Sequence, residues 1–291
     1  MISVALLPEG TVSDEAARYL CGNDGAVRVY RKLISDVFLS TVNGDTDYSV
    51  IPIENTIEGS VSMHLDWLIH EVDLPIQAEW IYPSIQNLIG RSSECRGDNG
   101  EIDFGRIVRV MSHPVAMAQC QEFLRANLPH ADWKNVSSTA EAVRIVQENP
   151  GMGLAAIGTS IAAEHFGLDV LAPGVTDHSN NFTRFLLVGK EPFRLKESPV
   201  RKTTILVTLP EDYPGALHQV LSAFAWRRIN LSRIESRPTK KQLGTYHFYI
   251  EIEMALDTVL LPAALEEIKA IGCGVRILGS YPLFAYEGRQ G

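Results

Sequence analysis

The sequence predicts an α/β protein: a two-lobed body followed by a small module with the rhythm β-α-β-β-α-β. Three observations carry that expectation. From Ile2 to Gly189 short apolar runs alternate with helical patterns, which implies α/β layers with largely parallel sheets. Lys190–Arg201, with Pro192, Pro199 and several charges, has the composition of a linker. The stretch after it holds four strand-like runs and two helical ones in the ferredoxin-like order, within 291 residues, a length that suits about two domains.

The strand expectations in the body are Ile2–Leu7, Val27–Tyr30, Tyr48–Ile53, Ile76–Ile81, Ile85–Gly90, Ile107–Met111, Leu154–Gly158 and Thr183–Val188. Ser138 and Glu141 form a capping box that opens an amphipathic helix, closed at Asn149-Pro150-Gly151. Two adjacent strand runs near Trp80–Gly90 and a polar loop, Arg91–Gly105, break the rhythm and mark a lobe boundary. The last run, Thr183–Val188, is read as returning to the first lobe, which leaves a cleft between lobes for a small ligand. In the module, Thr203–Thr208, Leu231–Arg237, Tyr246–Glu253 and Val275–Tyr281 are strands, and Ala216–Trp226 and Asp257–Ile271 are helices.

Composition narrows the function. Lys and Arg number 26 against 35 Asp and Glu, a formal charge of -9 with no basic run, so the long-range field repels a phosphate backbone and nucleic acid is not expected as a partner. The opening MISVALLPEG lacks a positive n-region, and no run of 18 apolar residues follows, so neither export nor a membrane partner is expected and the cytoplasm is the expected location. Cys21, Cys95, Cys120 and Cys273 are far apart and the eight His are scattered, so free thiols and no metal site are expected.

Four stretches gather polar groups at element junctions. Pro52 to Val61 leaves a buried strand, passes Glu54, Asn55, Thr56 and Glu58, and is expected to enter a helix near Ser60, where free backbone N–H groups suit a carboxylate or phosphate; the simpler reading is capping by Asn55 and Ser60. Ser112-His113-Pro114 follows a strand, and reads either as an acid–base histidine or as a cap with Pro in the first turn. Asn181-Phe182-Thr183-Arg184-Phe185 begins a strand, with Arg184 suited either to a substrate carboxylate or to a surface ion pair. Thr11 lies in the loop after the first strand, as a cap or a polar contact. In the module, Gly215-Ala216-Leu217 and Asn230 to Pro238 sit at junctions where glycine permits close backbone approach.

Taken together these stretches resemble the prephenate dehydratase family. Pro52-Ile53-Glu54-Asn55-Thr56-Ile57-Glu58-Gly59-Ser60-Val61 is similar to one family signature, and Asn181-Phe182-Thr183-Arg184-Phe185 to the catalytic T-R-F signature. Ser112-His113-Pro114 with Ala116 and Gln119 is similar to a third block. Pro214 to Leu217 and Ile234-Glu235-Ser236-Arg237-Pro238 are similar to the G-A-L and E-S-R-P motifs of the ACT regulatory domain. Leu7 stands where the family's opening loop has Gly, and Val12 where it has Phe. Bifunctional members carry a chorismate mutase segment ahead of this region; the expectation here is the monofunctional form.

The resemblance implies a periplasmic-binding-protein-like catalytic domain over 1–190, with lobes of about 1–80 plus 172–190 and 81–171, a linker at 191–201 and an ACT domain over 202–282. It implies conversion of prephenate to phenylpyruvate, water and CO2 without a cofactor, feedback control by L-phenylalanine, and a homodimer or homotetramer paired through ACT modules. Implied catalytic residues are Thr183, Arg184 and Phe185, as donor to the departing hydroxyl, carboxylate partner and apolar wall. Thr11, Glu54, Asn55, Ser60, Ser112 and His113 are the implied substrate contacts. The implied effector contacts are Gly215, Ala216, Leu217, Asn230, Glu235, Ser236, Arg237 and Pro238. Two rival readings are arogenate dehydratase, whose substrate has an amine for the keto group, and a non-catalytic amino-acid sensor.

Overall fold

The computed structural model describes residues 2–22, 25–98, 100–193, 198, 200–241 and 243–287. The expected linker at 191–201 therefore lies partly outside the described residues. Along the chain the elements begin β1 (Ile2–Leu6), α1 (Val12–Cys21), β2 (Ala26–Tyr30), α2 (Ile34–Val42), β3 (Tyr48–Asn55), β4 (Gly59–Ser60), α3 (Ser62–Asp66, continued by a π-helical turn Trp67–Glu71) and β5 (Ile76–Pro83). There follow β6 (Asn87–Gly90), α4 (Ser92–Cys95), β7 (Arg109–Ser112), α5 (Pro114–Ala118), α6 (Gln121–Asn127), β8 (Asp132–Asn135), α7 (Thr139–Glu148), β9 (Leu154–Gly158), α8 (Ser160–Phe166), β10 (Asp169–Ala172) and β11 (Phe182–Gly189). The module comprises β12 (Arg201–Thr208), α9 (Ala216–Ala225), β13 (Leu231–Pro238), β14 (Tyr246–Ile252), α10 (Leu260–Ala270) and β15 (Gly274–Phe284).

The chain divides into two compact units. The first comprises Met1–Val37, Glu54–Ser60 and Tyr82–Thr183. In it β1 pairs in parallel with β2, and a five-stranded sheet runs β10-β6-β9-β7-β8. Neighbouring residues of its central strands serve opposite faces: Leu88, Val110 and Ala155 pack in one cluster with Cys120 and Leu124, while Ile89, Met111 and Ala156 pack in another with Val143 and Val146 of α7. A sheet covered on both faces explains why these strands are continuous apolar runs. The cap of α7 forms as expected on its Ser138 side, where Oγ accepts from the Glu141 N–H at 3.0 Å. The return bond is displaced by one residue, since the Glu141 carboxylate accepts from the Ser137 N–H at 2.9 Å. Thr159 caps α8 by accepting from the Ala162 N–H, and Gly167 closes that helix at φ 63°.

The second unit comprises Phe38–Ile53, Val61–Ile81 and Arg184–Gly291. Its strands lie in the order β13-β14-β12-β15-β5-β11-β3. The β-α-β-β-α-β expectation holds: β12, β14 and β15 are antiparallel neighbours, and α9 and α10 bury Val220, Phe224, Leu261, Ala264 and Ile268 against Ile205, Val207, Ile250 and Ile252. The module joins the body's strand β5 by a short parallel ladder, Leu283 opposite Glu79 and Phe284 opposite Trp80. Gly279 permits that approach, because a Cβ there would stand 2.5 Å from the Ile76 carbonyl.

Within the first unit, Glu15 of α1 accepts hydrogen bonds from Ser160 Oγ at 3.3 Å and the Ile161 N–H at 3.5 Å. Burial outweighs these bonds and pushes its carboxyl up from 4.5 to about 7. Between those values the folded chain binds a proton that the unfolded chain has lost, so stability falls as pH rises from about 4.5 to about 7 and is level above. Glu15→Gln is expected to abolish this slope, melting several degrees above wild type near pH 8 and level with it near pH 4.5; thermal scans across that range check it, and a wild type that gains on the variant as pH rises contradicts it.

Candidate functional site

The start of β11 is clipped to the loop that follows β3. The Thr56 N–H donates to the Phe182 carbonyl at 2.9 Å, Thr56 Oγ1 donates to the Asn180 carbonyl at 2.6 Å, and the Phe182 N–H donates back to Thr56 Oγ1 at 2.9 Å. The Asn55 side chain turns the same loop, since its Oδ1 accepts from the N–H groups of Ile57 at 2.9 Å and Glu58 at 3.1 Å. Its amide nitrogen therefore faces β11 and donates toward Asn181 Oδ1 at 2.8 Å and Thr183 Oγ1 at 3.1 Å.

A second side of this network comes from the end of β5 and from α5. The Ser84 N–H donates to the Asn181 carbonyl at 2.8 Å, and Asn181 Nδ2 donates to the Ser84 carbonyl at 3.1 Å and to Gln119 Oε1 at 2.8 Å. Ser84 Oγ stands 2.6 Å from Thr183 Oγ1. Asn55, Ser84, Gln119, Asn181 and Thr183 are all buried, and the side-chain bonds of this network run among themselves and to nearby backbone. Chemically this is a hydroxyl held in place by amide and hydroxyl partners, with no formal charge in the network.

The other expected residues are distributed as follows. Glu54 and Ser60 are opposite one another in the β3–β4 ladder. The expectation of a helix entry near Ser60 is corrected: the helix starts at Ser62, its cap Val61 offers no side-chain bond, and the positive φ of Gly59, 78°, turns the chain into a strand pair first. Thr11 does not cap α1 through its side chain, because Oγ1 donates back to the Pro8 carbonyl at 2.7 Å. Ser112 is fully buried and donates to the Ile157 carbonyl at 2.7 Å. His113 caps α5 by accepting from the Val115 N–H at 3.3 Å, Pro114 follows in the first turn, and burial holds the imidazole below its usual range, in the neutral form that can accept.

Arg184 and Phe185 do not join Thr183. Successive side chains of a strand point to opposite faces, which turns the Arg184 guanidinium away from the Thr183 hydroxyl. Its Nη1 bonds Glu251 of β14 and, at 3.3 Å, Glu79 of β5; Lys202 of β12 reaches the same carboxylates at 2.9 Å from Glu79 and 3.4 Å from Glu251. Burial pushes the Glu251 carboxyl up, but Arg184, Lys202 and Arg233 together hold it below the usual carboxylate range. The expected carboxylate partner of the substrate is thus engaged by the protein's own carboxylates. Phe185, 1% exposed, stacks on Trp80 at 5.5 Å in the core of the second unit.

Of the network residues, Ser84 escaped the sequence reading. Its signal was a buried-type strand end, Tyr82-Pro83-Ser84, in which Ser is the sole aliphatic hydroxyl between two apolar runs. In the module, Gly215 precedes α9 with φ 94°, and a Cβ there would meet nothing within 4 Å. Asn230 donates to Glu253, while Glu235 accepts from Arg233 and from Arg237, whose guanidinium also bonds Asp66. Along β13 the side chains alternate, so Ser236 and Pro238 are exposed where Glu235 and Arg237 are partly buried.

An α/β body that buries a threonine hydroxyl among amides, continued by a ferredoxin-like module of the amino-acid-sensing kind, defines a regulated small-molecule enzyme. The family profile for prephenate dehydratase matches residues 4–193 and that for the ACT domain residues 203–273. Prephenate dehydratase of Methanocaldococcus jannaschii is 41% identical over 96% of this chain and 97% of its own, and that of Bacillus subtilis 39% identical over 90% and 92%. The crystal structure of prephenate dehydratase from Arthrobacter aurescens in complex with L-Phe superposes with a TM-score of 0.85 at 34% identity, covering 97% of this chain and 90% of that one. The chain belongs to the prephenate dehydratase family.

Removing Arg184 would leave Glu79 and Glu251 buried with one fewer cation, and breaking such a cluster on one side costs about 3 kcal/mol or more. Arg184→Ala is expected to lose stability on that scale in urea denaturation; an unchanged midpoint contradicts the structural role.

Proposed function

We propose that this chain converts prephenate to phenylpyruvate, CO2 and water, under feedback control by L-phenylalanine. The observation that carries the reading is the Thr183 hydroxyl, fixed by Asn55 and Ser84 at the head of the Thr183-Arg184-Phe185 strand in a chain of this family.

The chemistry asks little of the protein beyond placement. The bond between the ring and its carboxylate breaks, the electron pair passes through the diene, and the C–O bond on the far carbon breaks as the ring becomes aromatic. The departing hydroxide takes up one proton and leaves as water. Aromatisation supplies the driving force, so the protein must orient the two leaving groups and supply a hydrogen-bond donor to the oxygen on which charge collects. A threonine hydroxyl is such a donor. A buried surrounding strengthens that bond and favours loss of carboxylate charge as CO2. Glu54, Ser60, Thr11, Ser112 and His113 belong to the proposed substrate surroundings through the loops they hold in shape. Arg184 acts on the reaction only through the strand it anchors.

No helix among the described residues is long and apolar enough to cross a membrane; the cytoplasm is the proposed place of work. Edge-to-edge pairing of modules would give a homodimer or homotetramer, and β13, the terminal strand of its sheet, offers the edge. L-phenylalanine is proposed to bind between Gly215-Ala216-Leu217, near Asn230, of one subunit and the Glu235-Ser236-Arg237-Pro238 segment of its neighbour.

Thr183→Ala is expected to lower kcat for prephenate roughly 100-fold with a smaller change in KM. Phenylpyruvate absorbance reads this, with arogenate as the comparison substrate, and near-wild-type turnover by a folded variant overturns the assignment. Gly215→Val puts a branched side chain at a φ that disfavours it and into the space proposed for the effector. Inhibition by phenylalanine is expected to vanish while turnover persists; calorimetry showing undiminished phenylalanine binding would move the effector site elsewhere.

A further inference from the structure

Thr183 Oγ1 carries one proton and two lone pairs. Asn55 Nδ2 gives one N–H to Asn181 Oδ1 at 2.8 Å and its other is shared between a Thr183 Oγ1 lone pair at 3.1 Å and the Phe182 carbonyl at 3.2 Å, and the Asn55 amide cannot turn over because its oxygen is committed to the N–H groups of Ile57 and Glu58. Ser84 Oγ, at 2.6 Å, leaves two arrangements. If Ser84 accepts, it takes the single proton of Thr183, and the threonine has nothing to give a substrate. If Ser84 donates, both lone pairs are filled by donors and the Thr183 proton is turned outward. Only the second arrangement is compatible with a donor role for Thr183. It has a further effect, because two hydrogen bonds into Oγ1 withdraw electron density from it and polarise the O–H it offers to the departing oxygen; the proton that completes the water comes from solvent, so Thr183 keeps its own.

We propose that Ser84 is a positioning residue for the reaction: it donates its hydroxyl proton to Thr183 Oγ1, aims the Thr183 O–H at the leaving hydroxyl and makes it a better donor. Ser84 is placed for this by the backbone, since its N–H and carbonyl are both bonded to Asn181, two residues before Thr183. No proton leaves Ser84 in the step, so nothing has to restore it between turnovers.

The inference rests on the reading of Thr183 as the donor, and a double-mutant cycle on the full chain separates the two. Ser84→Ala is expected to lower kcat about tenfold with KM within about twofold, because the lost bond matters most as charge develops. Ser84→Cys, close in size and a weak donor, is expected to fall between and guards against a packing defect in the alanine variant. In the Thr183→Ala background, Ser84→Ala is expected to change the residual rate less than about twofold, since the group it orients is gone; a merely structural role would cost the same in both backgrounds. Equal losses in the two backgrounds, or an unchanged kcat in Ser84→Ala, overturn the role of Ser84. Wild-type turnover in the Thr183→Ala parent overturns the reading of Thr183 instead.

Discussion

A buried charge must meet its counter-charge before the strand that carries it can be placed, and Arg184 imposes that condition on β11. Its partners come from two other strands, Glu79 on β5 and Glu251 on β14, and Lys202 on β12 shares both carboxylates. Because side chains alternate along a strand, satisfying Arg184 also decides where Thr183 points. A slip of one residue would exchange the two, leaving a guanidinium among amides and a methyl-bearing hydroxyl among carboxylates. The register of the strand is thus specified by the cost of an unsatisfied ion, several kcal/mol, rather than by the smaller preferences of its apolar residues. The Thr183 hydroxyl is held in line by a charge on the opposite face of its strand.

Much of this was legible in the sequence. Leu154–Gly158 is a strand over the predicted residues, and the six elements of the module all formed, with ends displaced by up to three residues. Periodicity suffices where a strand is covered on both faces, because an unbroken apolar run has few other uses. Besides the two-residue β4, the strands that escaped are β8 and β10, edge strands of the five-stranded sheet, and β8 is exposed throughout and mostly polar, as Asp132-Trp133-Lys134-Asn135. Such a strand is defined by its partner's backbone, and nothing in its own side chains announces it.

The site divides in the same way. Asn55 and Thr183 were legible because their motifs are short and contiguous. Arg184 was read as a substrate clamp because a lone Arg beside an apolar strand in an acidic chain admits two partners, and Glu79 and Glu251 are 105 and 67 positions away. Spacing along the chain cannot distinguish a distant carboxylate of the protein from one on a ligand. Ser84 was hidden for a related reason: a single hydroxyl between strand runs reads as a turn residue until the strand opposite it is known.

The polarity of the amide part of the network is set by backbone. The two N–H groups after Asn55 need an acceptor as the chain turns out of β3, and the Asn55 oxygen supplies it. From that choice the rest follows by exclusion: the Asn55 nitrogen must face Asn181 and Thr183, the Asn181 oxygen must accept, and its nitrogen must donate to Gln119 and to the Ser84 carbonyl. An aspartate at 55 would make the same turn but would present a second acceptor to Thr183 and draw its proton inward. An amide makes the turn and presents a donor. The site therefore holds a neutral hydroxyl among amides without burying an ion beside it, and the buried charge of Arg184, Glu79 and Glu251 lies on the other face of the strand, where it fixes position.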